Sequence, residues 1–361
     1  MATGATPYQF FLKKEGEQIP KSKAKKHPPL PRLLSKEVGH TCTPKSRSSF
    51  AHTGKRAFEL AQEYSINNSR LALGSALVLG GVLALNQVQS AEAADWNFTD
   101  DTGFAQAAVN ANSDVESATR IIFSGGAPAT INTAVGVSFT REVTIGGANS
   151  QRFTLAPTVE FSGSCLICST SNIRLENVVL DLTNKAEVKA LSVTASANVT
   201  VALDNVEVKN VSGATAISVS GAADTTVTIN DSSIHNNTAA TTNGYPALEG
   251  SVIGVVATGN ATVDISGTTT ISLNEAGAGV SGSQGSRGGS VVDVRSSANT
   301  TVTMSDTVQI SNTTSGIGGN ASDVGAGGAG GSIINLSASG DSQLTISDAV
   351  KISNNDSGAG G

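Results

Sequence analysis

The sequence is poor in the residues that dominate ordinary globular cores and ordinary active sites. Aromatics make up 4% of its 361 residues, with 3 cysteines, 4 histidines, 2 methionines and one tryptophan. At 39% hydrophobic content the apolar mass is therefore Ala, Val, Ile and Leu, the material of a layered, repetitive core rather than a disordered chain. Only one apolar run is long enough to notice, which excludes a polytopic membrane protein, and the 39 glycines keep no three-residue period along the chain, which excludes collagen. Charge is unevenly placed. Residues 1–94 hold 13 Lys or Arg against 6 Asp or Glu, leaving 10 against 23, so +7 precedes −13 within a formal net charge of −6. The acidic part lacks the concentrated Lys and Arg that phosphate contacts need, so nucleic acid is not an expected partner.

Residues 1–69 contain six of the nine prolines and the run Lys21-Ser22-Lys23-Ala24-Lys25-Lys26-His27-Pro28-Pro29. Such a segment buries too little apolar surface to offset chain entropy, and a disordered basic leader is expected. Arg70 is followed by the fifteen uncharged residues Leu71 to Leu85, too few for a comfortable membrane span but right for the apolar part of a signal peptide over 70–93. Ala91-Glu92-Ala93 supplies a small-residue cleavage site, and cleavage after Ala93 starts the mature chain at Ala94. Export follows, with an extended signal peptide or a mis-set start codon as the two accounts of the long leader.

In the mature region the only cysteines are those of Cys165-Leu166-Ile167-Cys168. The second half of a zinc site is missing, as is the helix start that lowers a redox thiol's pKa. A small structural disulfide or two buried thiols remain as readings.

A repeat of variable length and fixed register occupies the region after residue 170. In the column Leu175, Leu203, Ile229, Ile265, Met304 and Ile346, successive members are 28, 26, 36, 39 and 42 residues apart. From Leu203 onward an aliphatic residue stands two before each (Val201, Val227, Val263, Val302, Leu344). Others stand ten before (Val193, Val219, Val255, Val294, Leu336) and twelve before (Leu191, Ile217, Ile253, Val292, Ile334). Five or six after the column come Leu180, Val208, Ile234, Ile271, Ile310 and Ile352. Steps of two mean strands with one face inward. Two positions after the column stand Asn177, Asn205, Asp231, Gly267, Asp306 and Asp348, types that tolerate the left-handed backbone of a sharp bend.

Each unit is thus three short strands separated by bends, and stacking units buries a continuous aliphatic column that no single unit buries alone. The predicted fold is all-β, a right-handed parallel β-helix over residues 94–361 with tiers about 4.8 Å apart. Ile121-Ile122-Phe123, Val143-Thr144-Ile145 and Val159-Glu160-Phe161 fit less regular starting tiers. Phe104, Ala107, Ala108 and Ala111 share one helical face, as for a short helix near 104–112 capping the open end.

Length variation falls in one connection: from Leu180 to Leu191, Val208 to Ile217, Ile234 to Ile253, Ile271 to Val292 and Ile310 to Ile334 the separations are 11, 9, 19, 21 and 24. A one-sided fringe results, as in Gly277 to Gly289 and Gly316 to Gly331. It is either drift under weak constraint or a surface for a ligand or partner.

The repeat ends Ile234-His235-Asn236-Asn237, Ile271-Ser272-Leu273-Asn274 and Ile352-Ser353-Asn354-Asn355 look like an F-x-x-N motif with Ile for Phe. Gly288-Gly289-Ser290-Val291 and Gly330-Gly331-Ser332-Ile333 look like its G-G-A-[ILV] partner with Ser for Ala. Over roughly residues 95–361 the pairing resembles the polymorphic outer membrane proteins of chlamydia-like bacteria and, more broadly, autotransporter passengers with pectate-lyase-like β-helices. The resemblance implies a non-catalytic adhesin at the bacterial cell surface or outer membrane. Its partner is then a host-cell surface or glycan, and a C-terminal β-barrel translocator carries it out. No series of ten-residue alternating strands is present and Gly361 falls in mid-repeat, so a fragment or a separated passenger is expected.

Two other functions stay in view: a secreted polysaccharide lyase or hydrolase of the same fold, and a purely structural exported repeat protein. Enzymes on this fold cluster Asp residues around calcium or water, and Asp306 and Asp348, one tier apart, are the pair to consider. Their column is the bend position, which favours turn-making. His235, the mature chain's only histidine, sits where other units have Asp, Lys or Ser. Gly325 to Gly330 spells G-x-G-x-x-G but precedes a strand, whereas a dinucleotide site opens a helix. No catalytic residue, metal or cofactor is expected.

Overall fold

The computed structural model describes residues 94–113, 119–126, 129–183, 185–241, 250–282, 286–321 and 326–361. Residues 1–69, expected as a basic leader, and 70–93, expected as a signal peptide with Ala91 and Ala93 at its cleavage site, lie outside the described residues, and Ala94 opens the first strand. The architecture is all-β: among the described residues there are twenty-two strands and one α-helix, and every strand-to-strand pairing is parallel.

One sheet has nine strands, Ala94–Phe98, Thr119–Phe123, Val143–Gly147, Ile173–Glu176, Val199–Asp204, Thr225–Asn230, Ala261–Ser266, Thr300–Met304 and Ser342–Ile346, stacked in chain order. Each opens a tier. Each tier from the fourth to the eighth then adds a short strand (Val178–Asp181, Glu207–Lys209, Ser233–His235, Thr270–Ser272, Gln309–Ser311) and a longer one (Lys189–Ala195, Ile217–Gly221, Ile253–Ala257, Val292–Ser296, Ile334–Ala338). These two columns belong to one thirteen-stranded sheet because the strand Phe153–Ser169 joins both, pairing near its start with Val178 to Leu180 and near its end with Lys189 to Val193. The arrangement is compatible with a parallel β-helix.

The pairings reproduce the aliphatic columns. Leu175 faces Leu203, Leu203 faces Ile229, and the line runs on through Ile265 and Met304 to Ile346. It also runs back through Ile145 and Ile121 to Trp96. The line of Leu191, Ile217, Ile253, Val292 and Ile334 and that of Leu180, Val208, Ile234, Ile271, Ile310 and Ile352 are equally continuous. Their inward residues form one cluster, nearly all without solvent contact. In the ninth tier Leu344, Ile346 and Ile352 are exposed, because they have a tier on one side only.

The helix Asp101–Ser113 packs against the first tiers through Phe104, Ala107, Ala108 and Ala111, all buried at helical spacing. The Asp100 carboxylate accepts from the Gly103 amide at 2.7 Å, an N-cap. The Asn112 side chain donates to the Ser138 carbonyl and accepts from the Thr140 amide, tying the helix to a strand end. The early tiers differ from expectation in one place. Val159-Glu160-Phe161 lies within the irregular early strand Phe153–Ser169; the departure is that Val159 is 78% exposed while Phe161 is buried. Opposite them the pairing with Ala129–Phe139 slips twice, the mark of a bulged strand.

Candidate functional site

Three features carry chemistry: a cluster of charges, the bends, and the one-sided fringe. The charges lie at outward positions of the short strands, where the register sets Lys209 between Asp181 and His235. Glu207 Oε1 meets Lys209 Nζ at 2.9 Å and His235 Nε2 at 3.1 Å, while Oε2 meets Arg152 at 3.4 Å. Lys209 also reaches Asp181 at 3.7 Å, and Asp181 accepts from Asn210 Nδ2 and the Thr183 amide. With Asn236 Nδ2 of the side chain donating to His235 Nδ1, His235 Nε2 donates to Glu207 Oε1.

Burial pushes the Glu207 carboxyl up, but hydrogen bonds from Lys209 and His235 and the charges of Lys209 and Arg152 outweigh it and hold the group below its ordinary value. Asp181 behaves alike: burial raises it, and Thr183, Asn210 and Lys209 bring it down further. A general base suited to neutral pH needs a raised carboxyl, whereas these two are lowered, and their ion pairs and hydrogen bonds link side chains of neighbouring tiers.

All six bend residues have left-handed backbone: φ is 57° at Asn177, 53° at Asn205, 48° at Asp231, 65° at Gly267, 60° at Asp306 and 59° at Asp348. The five that have side chains bond through them to the neighbouring tier, and Gly267 takes part through its amide. Asn205 donates to Asn177 at 2.7 Å, Asp231 accepts from the Thr268 amide, Asp306 from the Gly267 amide and Asp348 from the Asp306 amide. Asp306 and Asp348 are therefore engaged with backbone, and among the described residues no group of three or more His, Cys, Asp or Glu is placed to hold a metal.

Two further bends went unread in the sequence. Asn210, Asn236, Leu273, Asn312 and Asn354 form a second left-handed column, with φ between 52° and 61°. The side chains of Asn172, Asn198, Asp224, Asn260 and Asn299 form a third ladder, each taking an amide or an amide side chain of the next tier, up to the Asp341 amide. An Asn directly after four of the five three-residue strands, and an Asn or Asp just before the Thr-rich strands, was the signal for both.

The repeat-end asparagines point inward. Asn237 Nδ2 donates to the Val208 carbonyl, Asn274 Nδ2 to that of Ile234 and Asn355 Nδ2 to that of Ile310. Asn237 Oδ1 accepts the Val211 amide and Asn274 Oδ1 the Asn237 amide. The final Asn of I-x-x-N thus satisfies backbone groups that the turn takes out of the ladder. Cys165 and Cys168 are joined in a disulfide, their Cα atoms 5.8 Å apart, within the irregular strand. An extended strand would set residues three apart at about 10 Å, so the bridge holds a local fold-back.

The long connections emerge on one side, over the outward face of the longer strands, and cover a buried charge. Asp293, 1% exposed, takes two hydrogen bonds from Arg295, one from Asn335 at 2.8 Å and one from Ser251 at 3.2 Å. Arg287, on the connection itself, donates to Asn335 at 2.7 Å. No protein-family model matches this chain, and neither does any characterised protein or solved structure.

Proposed function

We propose that the chain is an exported, non-catalytic right-handed parallel β-helix that acts as a surface passenger or adhesin, with the one-sided fringe as its partner-facing surface. The observation that carries the reading is the contrast between invariant tiers and a single growing connection. Strands stay in register across tiers of 26 to 42 residues, so the added length gathers in one connection, which supports reading that side as the partner-facing surface. The A-x-A site at Ala91 to Ala93 supports export, and the I-x-x-N and G-G-S repeat ends support a likeness to autotransporter passengers and polymorphic outer membrane proteins.

The test has two arms. N-terminal sequencing of protein recovered outside the cell should read Ala94-Asp95-Trp96; an intact Met1 on a protein retained in the cytoplasm contradicts export. Binding to cultured host cells and to a glycan array should be lost when 277–289 and 316–331 are shortened while the β-sheet signal persists; unchanged binding moves the surface elsewhere.

One observation favours a second reading, a polysaccharide lyase or hydrolase: Arg152, Lys209, His235, Glu207 and Asp181 share one outer face. Incubation with pectate and alginate, with and without calcium, decides it, and turnover abolished by Glu207→Gln establishes the enzyme.

A further inference from the structure

We infer that the glycine-rich connections form a second ordered layer, a bundle of polyproline-II-like arms laid on the β-stack. Outgoing arms span 276–282, 315–321 and 357–361, and returning arms span 286–290 and 326–332. Between neighbouring arms of opposite direction, Gly277 donates to the Gly250 carbonyl, Gly289 to Gly277, Gly316 to Gly289 and Gly331 to Gly316, at 2.8 to 2.9 Å. Three residues further out the same ladder recurs: Ser286 donates to Val280, Gly319 to Ser286, Gly328 to Gly319 and Gly361 to Gly328, at 2.8 to 3.0 Å.

Arms of like direction in adjacent tiers keep the same step. Ala276, Gly279 and Gly282 donate to Thr314, Ile317 and Asn320; Ser315 and Gly318 donate to Asp356 and Ala359; Gly288 and Val291 donate to Ala329 and Ser332. A β-ladder repeats every two residues, whereas three residues per turn is the polyproline II period. Burial follows the same count: Ser315, Gly316, Gly318 and Gly319 are buried, and Thr314, Ile317 and Asn320 are exposed.

The glycines are there for closeness. A Cβ at Gly277, Gly289, Gly316, Gly331 or Gly358 would lie 1.5 to 1.9 Å from a neighbouring carbonyl oxygen, and none of the five has a left-handed φ. An isolated polyproline II segment has no internal hydrogen bonds. Here each arm obtains them from its neighbours, so the layer grows by two arms per tier and is held to the β-stack through Arg287, Asn335 and buried Asp293. Its outward side presents Ala278, Ile317 and Ala359 in one row and Ser281 and Asn320 in the next, already ordered. The inference stands whether or not that side has a partner.

Amide hydrogen exchange on the full chain tests it. Amides of Gly279, Gly282, Gly289, Gly316, Gly318, Gly319, Gly328 and Gly331 should exchange at least about 100-fold more slowly than in an unstructured peptide, as cooperative native units do. Gly316→Ala should return Gly289 and Gly331 to near unstructured rates while Ile217 and Ile253 in the β-stack stay protected, and Ile317→Ala should leave the layer protected. Unprotected amides in the parent protein overturn the inference. So does Gly316→Ala with unchanged protection or higher stability, the result expected of Gly→Ala in a flexible loop.

Discussion

The first three tiers and the six that follow close the same kind of core by different means. At the start, Phe98, Phe104, Phe123 and Phe153 pack ring against ring with centroids 5.0 to 5.5 Å apart, helped by a helix, a bulged seventeen-residue strand and a disulfide. From the fourth tier on there is no aromatic in the described core; Val, Ile, Leu and Ala with Met304 fill it, and Asn, Asp and one Gly make the first column of bends. A repeating stack lets each side chain meet a copy of itself, so small identical residues suffice. In the first three tiers large rings, a disulfide and a helix do the work that like residues do in the later ones.

The largest effect should come from a charge in the repeating part. Ile265→Asp places an unpaired carboxylate where the side chain has no solvent contact, at a cost of about 5 kcal/mol or more. Chemical denaturation should show loss of cooperative unfolding in all tiers. If the two regions differ as described, Phe123→Ala should cost about 3–5 kcal/mol. Hydrogen exchange should then place the loosening in the first tiers and leave the Val227 and Val263 amides protected.

A smaller loss is expected for Asn274→Ala, which strands the Ile234 carbonyl and the Asn237 amide, about 1–3 kcal/mol in urea unfolding. The charge cluster gives a pH signature. Glu207 and Asp181 titrate below the ordinary carboxylate range when folded, so their stabilisation is complete above that range and fades as pH falls through it and below. Glu207→Gln should flatten part of the acid-side decline in melting temperature; a decline identical to the parent's would mean that the cluster contributes nothing. Smallest, and opposite in sign, Leu273→Asn should stabilise by roughly 1 kcal/mol, because Leu273 is the one aliphatic in a left-handed column of asparagines and is 57% exposed.

Legibility in the sequence follows the same division. The aliphatic columns and the first bend column could be read because each tier repeats them at a fixed offset, and the cap helix because Phe104 to Ala111 keeps helical spacing. The exposure of Val159 has no sequence signature because a bulge breaks the period of two, and a bulge has no offset to detect. The second bend column hid behind Leu273, which breaks its run of asparagines. The fringe looked like loop because its order lies in contacts between arms. Its three-residue step is written in hydrogen bonds to other tiers, while along the chain glycines occupy several of the three positions. The charge cluster was invisible for a related reason: Arg152, Asp181, Glu207 and His235 are 83 residues apart end to end and meet only through the register.

The central claim is that every sequence unit, whatever its length, adds one tier. Spin labels at outward positions of the nine-stranded sheet measure this directly, with Thr144 paired in turn with Asp264, Thr303 and Thr345, which lie four, five and six pairings away. Dipolar spectroscopy should give distances rising in equal steps of about 4.8 Å, near 19, 24 and 29 Å, although the added segments contain 39 and 42 residues. Steps that scale with segment length, or distances that fail to rise, would contradict the stacked, in-register architecture.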